Sequence, residues 1–115
     1  MIMTKAQMRA TVPQRAAEFE KRIGQYLRDC YPNLAFDDDT LLLDRIARAH
    51  RYARELGFTS DQHVVDVVEA CALLGGEVYQ HVLFQRIVKN PTWHNEEKCQ
   101  AIRTHIIAIS PKAKL

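Results

Sequence analysis

The stretch TSDQHVVDVVEACALLG, Thr59–Gly75, decides the fold of this chain. Val64, Val65, Val67, Val68 and Cys71 crowd into one short segment, a composition that suits a β-strand. The spacing points elsewhere. Val64, Val67, Val68, Cys71 and Leu74 recur at the three- and four-residue intervals of one helical face, and Asp61, Asp66 and Glu69 fall outside it. Thr59 and Gln62 stand in capping-box register at the start. Gly75 and Gly76 supply the stop. The segment reads as a central, largely buried helix.

The same period holds on both sides of it. Upstream, Asp37, Asp38, Asp39 and Thr40 open a helix, because carboxylates meet the free N–H groups and the positive dipole end of a first turn. The inner stripe of that helix is Leu42, Leu43, Ile46, Ala49, Ala53 and Leu56, and Gly57 is placed to end it in a left-handed conformation. Further upstream, Pro13 suits a first helical turn. Ala16, Phe19, Ile23, Tyr26, Leu27 and Cys30 then space a helix that Pro32 terminates. Gly24 weakens this helix by about 1 kcal/mol relative to alanine and marks a close helix contact. Thr4 to Ala10 reads as a separate short helix, so residues 1–12 form an N-terminal arm.

Downstream, Val82 to Lys89 makes two helical turns before Asn90–Pro91 breaks them. Asn95 caps a last helix, with Glu96 and Glu97 in its first turn and Cys99, Ile102, Ile106 and Ile109 along its inner stripe. Ser110–Pro111 ends it and leaves residues 110–115 as a flexible tail. No period-two run or hairpin turn pair occurs. The expectation is an all-α fold, a single-domain bundle of four main helices plus one or two short ones.

A chain of 115 residues, 47% apolar and 26% charged, can bury a core without metals or disulfides. No apolar run approaches the roughly 18 residues that span a bilayer, and Met1 to Ala10 holds no signal-peptide core. The reading is a cytoplasmic protein without a membrane partner. Net charge is +2. Residues 1–36 carry six Lys/Arg against three acids, 37–58 four against five, 59–76 none against three, and 77–115 six against three. Basic ends thus flank an acidic middle, a pattern closer to a protein-binding surface than to a phosphate track. Cys30, Cys71 and Cys99 are odd in number, scattered and on apolar stripes, which suits buried, reduced thiols.

Signals for chemistry are sparse. His50, His63, His81, His94 and His105 share no HxxxH spacing, and no CxxC pair exists, so no metal site is expected. Cys71 and His63 lie about 12 Å apart by helical rise, too far for a nucleophile–base pair. Asp37–Asp39 reads as a helix cap, and Gly75–Gly76 lacks the context of a phosphate loop. No cofactor is implied, and a binding protein is expected rather than an enzyme. Two features suit binding. Arg45, Arg48, Arg51 and Arg54 repeat every three residues as a slowly winding ridge, which serves as a solvated face, a dock for an acidic protein, or a nucleic-acid contact. Tyr79, His81, Phe84, Trp93 and His94 fall in short broken elements between Gly76 and His94. Some of these aromatics must close the core, where a lone tryptophan usually lies, and any left exposed would be interface anchors.

The run RIARAHRYARELGFTSDQHVVDVVEACALLGGEVYQ (Arg45–Gln80), followed by NPTW (Asn90–Trp93) and EEKCQAI (Glu96–Ile102), resembles small helical proteins encoded beside type VI secretion genes. Ala47–Arg48 with Tyr52 through Phe58 stands in for their basic, alanine-rich phrase, and Thr59 through Gly75 for the helix that follows. Phe19 and Arg22, with Tyr31–Pro32 after them, echo their N-terminal FxxR phrase. The chain departs from their pattern at Cys71 to Leu74, which replaces a more aromatic stretch, and in the helix after Gly76. The resemblance implies an accessory protein of a secreted toxin or its spike, either an immunity protein or an effector chaperone, acting by steric complex formation. Arg45, Arg48, Arg51, Tyr79, His81, Phe84, Trp93 and His94 are the partner-binding candidates. A small nucleic-acid-binding regulator using the Arg45–Arg54 ridge is the competing reading. Homodimerisation through the acidic cluster Asp37–Asp39 and the ridge is a further arrangement.

Overall fold

The computed structural model describes residues 5–32 and 39–109, with side chains from Ala16 onward except that of Asp39. The described chain is all helix and turn. Helices α1 (Lys5–Cys30), α2 (Asp39–Glu55) and α3 (Asp61–Leu74) are followed by a 3-10 turn (Gly75–Tyr79), α4 (Val82–Val88), α5 (Asn95–Ile102) and a π-type turn (Arg103–Ile107). The all-α bundle read from the period is what forms. α3 is its hub, packed against α2, α5 and both irregular turns, while α1 lies on α2 and α4 on α5.

Hydrophobic periodicity explains most of the core. Ile23 and Leu27 of α1, Leu42, Ile46, Ala49 and Ala53 of α2, Val64, Val67 and Val68 of α3, and Cys99, Ile102 and Ile106 at the C-terminal end are all buried. The α2–α3 connection is set by Gly57, whose φ of +93° lies in the left-handed region open to glycine. Its N–H donates to the Arg54 carbonyl, and the Phe58 N–H reaches back to that of Ala53, both at 3.0 Å. These two bonds form a Schellman stop. The motif drives Phe58 into the core, where it has no solvent contact.

Several local expectations shift. The break before Pro13 is absent: α1 runs unbroken from Lys5 to Cys30, so residues 5–12 belong to it rather than to a separate arm. The docked half of the helix supplies the nucleus and upstream extension needs no second one; the proline ring keeps a helical φ, but in this interior position it removes one backbone hydrogen bond. The cap of α3 is Ser60 in extended conformation, not Thr59, whose carbonyl accepts from Arg54 Nη1 at 2.7 Å. The cap of α5 is His94 rather than Asn95. His94 N–H donates to Glu97 Oε1 at 3.1 Å, and the Asn95 amide instead donates to the Gly57 carbonyl at 3.0 Å. Ile109 is exposed, because the stripe leaves the core where the π-type turn widens the helix. Cys30 is exposed, Cys71 half-buried and Cys99 buried, and all three are free thiols. Asp37 and Asp38, the cap expected from Thr4, and the tail from Ser110 lie outside the described residues.

The larger correction concerns α3. Asp66 and Glu69, read as lying off its buried face, are only 9% and 4% exposed. A helix enclosed on nearly all sides has no solvated face, so its acids need partners inside the fold. Glu69 accepts from the Tyr26 hydroxyl at 2.8 Å and from the Tyr31 hydroxyl at 3.1 Å. Asp66 takes Arg103 Nη1 at 2.6 Å. His50 Nδ1 lies 2.9 Å from Glu20, tying α2 to α1. Among the described residues, no buried side-chain nitrogen or oxygen lacks a partner. Burial pushes the Glu69 carboxyl above the usual range despite its two phenol donors. Burial and the adjacent carboxylate push both phenols upward, so they stay protonated donors.

Two expectations follow. A Cβ at Gly24 would meet Ile46 Cδ1 at 3.4 Å, an ordinary contact. Gly24→Ala should therefore stabilise the fold by about 0.5–1 kcal/mol in urea denaturation, and a loss would show that the contact requires glycine. For Glu69, the folded state holds its proton more tightly than the unfolded chain does. Its contribution to stability is complete below the ordinary glutamate value near about 4.3 and is lost as pH rises through the raised folded value. The stability of the native protein relative to Glu69→Gln should thus increase between neutrality and about pH 5. Parallel curves would contradict this assignment.

Candidate functional site

The eight candidate residues separate into four places. Arg45 and Arg48 on α2 and Tyr79 at the end of the 3-10 turn come together along one open groove of about 390 Å³ between α2 and α3. Trp93 and His94 lie in the exposed turn that leads into α5, outside the groove lining, and Arg51 is exposed on α2, likewise outside it. Phe84 and His81 are structural. Phe84 has no solvent contact and fills the core under α4, and His81 caps α4, its Nδ1 accepting from the Phe84 N–H at 3.2 Å. They leave the binding set because the short α4 needs both a core anchor and a cap.

The groove exists because small side chains meet across the helix pair. Ala49 on α2 and Ala72 on α3 are too short to close the gap that Leu42, Ile46, Val68 and Val78 border, and Gly75 opens its end. Leu42, Ile46 and Ala49 stood in the sequence as an inner stripe. Each is buried, yet each presents an edge to the groove. The signal that marks them is the alanine at a position where a larger apolar residue would seal the packing.

Tyr79 is placed by a brace the sequence did not reveal. Gln85 Nε2 on α4 donates to the Tyr52 hydroxyl at 3.0 Å and to the Val78 carbonyl at 2.9 Å. This joins α2, the 3-10 turn and α4. The Tyr79 ring packs edge-on against Tyr52 at a centroid distance of 5.1 Å, leaving the residue 58% exposed. The arginine ridge is not uniform. Arg48 pairs with Asp44 at 3.2 Å across one turn, an exposed pair worth about 0.3–0.5 kcal/mol. Arg54 turns away to the Thr59 carbonyl, to Asp61 at 3.8 Å and to His50 Nε2 at 3.4 Å. The ridge therefore divides into a groove rim at Arg45 and Arg48 and a structural strut at Arg54.

A larger hollow of about 750 Å³ runs beside α4, lined by residues between Gln80 and Thr92. All of its walls come from one stretch of chain, so it is a surface depression, whereas the α2–α3 groove has walls from two helices and a turn. Burial pushes the Cys71 thiol on its floor up to about 12, far from a reactive thiolate. Among the described residues, no group of three or more His, Cys, Asp or Glu is arranged to hold a metal ion. Cys99, also pushed up to about 12, chiefly by burial, donates to the His63 carbonyl at 3.7 Å. Beside it, a His63–Glu96 hydrogen bond at 2.8 Å and the ion pairs of Arg103 with Glu96 and Asp66 fasten α5 and the π-type turn to α3.

Comparison of the chain with family models, with curated proteins and with solved structures finds no match. No helix among the described residues is long and apolar enough to cross a membrane.

The division of the aromatic set is open to measurement. Phe84→Ala should cost about 3–5 kcal/mol in thermal or urea denaturation, as an emptied core site. Trp93→Ala should stay within about 1 kcal/mol of the native protein, as expected for a side chain 40% exposed. Equal losses would place both in the core.

Proposed function

We propose that this protein is a binding factor that grips a partner protein through the α2–α3 groove, without performing chemistry of its own. The observation that carries the reading is the groove itself: an apolar floor between two helices, arginines on its rim and an exposed tyrosine at its end. Tyrosine and arginine are the side chains that most often dominate interface energetics, and an apolar pocket beside them is where an anchor residue desolvates. Nucleic acid suits the groove less well, because an apolar floor offers nothing to a phosphate backbone and Arg54 is spent inside the fold.

The partner class comes from the resemblance carried by Arg45–Gln80. On that basis the partner is a secreted toxin of a type VI system or its spike-associated domain, and this chain acts in the cytoplasm as its immunity protein or loading chaperone. Steric occlusion is the mechanism, with the charged rim setting orientation and encounter rate.

The test is co-expression with the toxin encoded beside it, followed by co-purification. A stable complex is expected. Growth arrest on deletion of this chain identifies an immunity protein, and lost secretion without toxicity identifies a chaperone. Absence of any complex with the neighbouring toxin or spike would refute the reading.

A further inference from the structure

We infer that the hollow beside α4 is a second docking surface, which takes an acidic segment of the partner carrying an apolar side chain next to its carboxylates. The inference rests on the protein-binding reading above but not on the groove between α2 and α3.

Helix α4 has two faces. Phe84, Ile87 and Val88 are buried. Val82, Arg86 and Lys89, spaced four and three residues apart, share the outward face and line the hollow. Val82 is 64% exposed, and Tyr79 and Leu83, close to it in the chain, are exposed as well. Large apolar side chains left in water along one short stretch mark a surface that a partner covers.

Charge decides what covers it. Residues 78–95 hold Arg86 and Lys89 and no Asp or Glu. Among the described residues, neither cation has a side-chain hydrogen bond or ion pair. The acids that follow are committed elsewhere, Glu96 to His63 and Arg103 and Glu97 to the His94 N–H. Cations commonly stand at a helix C-terminus to meet its free carbonyls. Here Lys98 of α5 does so, its Nζ donating to the Val88 carbonyl at 3.1 Å. Arg86 and Lys89 are instead like charges one turn apart, an arrangement that an incoming anion relieves. A phosphate chain would use these cations and leave Val82 and Pro91 in water. A segment with carboxylates and an apolar side chain uses both.

Both ends of the hollow are fixed by polar bonds of the fold. Gln85 Nε2 holds the Val78 carbonyl at 2.9 Å at one end. At the other, Asn90 Oδ1 accepts from the Thr92 N–H at 3.0 Å and from its hydroxyl at 2.8 Å. Walls already ordered lower the entropy cost of binding.

The experiment measures fluorescence anisotropy of a short labelled peptide of leucine and glutamate against its twin of leucine and glutamine, using the full chain. The glutamate peptide should bind about fivefold tighter or better, with the preference fading as salt is added. The double variant R86E/K89E should abolish the preference while its helical circular dichroism stays unchanged, since both side chains are exposed. R45E/R48E should leave the preference in place. Val82→Ser should weaken binding of the glutamate peptide. Equal binding of the two peptides, a preference untouched by R86E/K89E, or one lost in R45E/R48E overturns the inference. So does a single-stranded oligonucleotide that outcompetes the peptide and is released by R86E/K89E, because the occupant is then nucleic acid. A concentration-dependent dimer that R86E/K89E converts to monomer overturns it too, because the occupant is then a second copy. The two readings fail separately. A toxin complex with affinity unchanged in R86E/K89E refutes docking at α4 alone. A glutamate preference that depends on Arg86 and Lys89, without any complex with the neighbouring toxin or spike, refutes the partner assignment alone.

Discussion

Glu69 lies near the middle of α3 with almost no contact with water, and Tyr26 of α1 and Tyr31 just beyond its end donate to it. Removing a carboxylate from water is costly, and each hydrogen bond to a charged acceptor returns about 1.5–3 kcal/mol. Neither tyrosine can be moved without exposing that cost, so α1 is held to α3 in one register. One turn earlier, Asp66 imposes the same demand on the C-terminal end of the chain through Arg103. The hub helix is thus fastened on two sides by polar bonds of defined length, and on the others by hydrocarbon. Apolar packing alone tolerates sliding, whereas a buried carboxylate with specific donors does not.

That constraint bears on the groove. With α1 and α5 committed to the polar positions of α3, the line of α3 that carries Val68, Cys71 and Ala72 faces α2 and the 3-10 turn. There Ala49 and Ala72 are small, and the two helices border an open channel instead of sealing. Tyr79 belongs to a different part of the chain, yet the Gln85 bonds to Tyr52 and Val78 bring it to the same rim. The candidate site is therefore a by-product of how the hub is enclosed, plus one brace.

Much of the fold was legible in the sequence because it rests on local rules. Gly57 and Gly75 end helices where a left-handed residue is required, and both show positive φ. The valine-rich segment is helical despite its composition because its period matches a buried helix. The misreadings fall where a distant partner overrides a local preference. Thr59 and Asn95 were the obvious caps, but Arg54 takes the carbonyl of the first, and the amide of the second is bonded to Gly57. Of the binding candidates, Arg45, Arg48 and Tyr79 meet in one place, Phe84 and His81 serve the fold, and Trp93 and His94 stand apart.

The sequence by itself determined the helical class, the position of α3 as the centre and the helix stops, because periodicity and glycine conformation act over a few residues. Only the tertiary structure decided which polar side chains are buried, which aromatics remain in water and that a groove exists at all. Helical spacing reports which face a residue occupies, not how many neighbours enclose that helix. Asp66 and Glu69 looked solvated on any two-sided helix, and they are interior only because α3 is covered from nearly every direction.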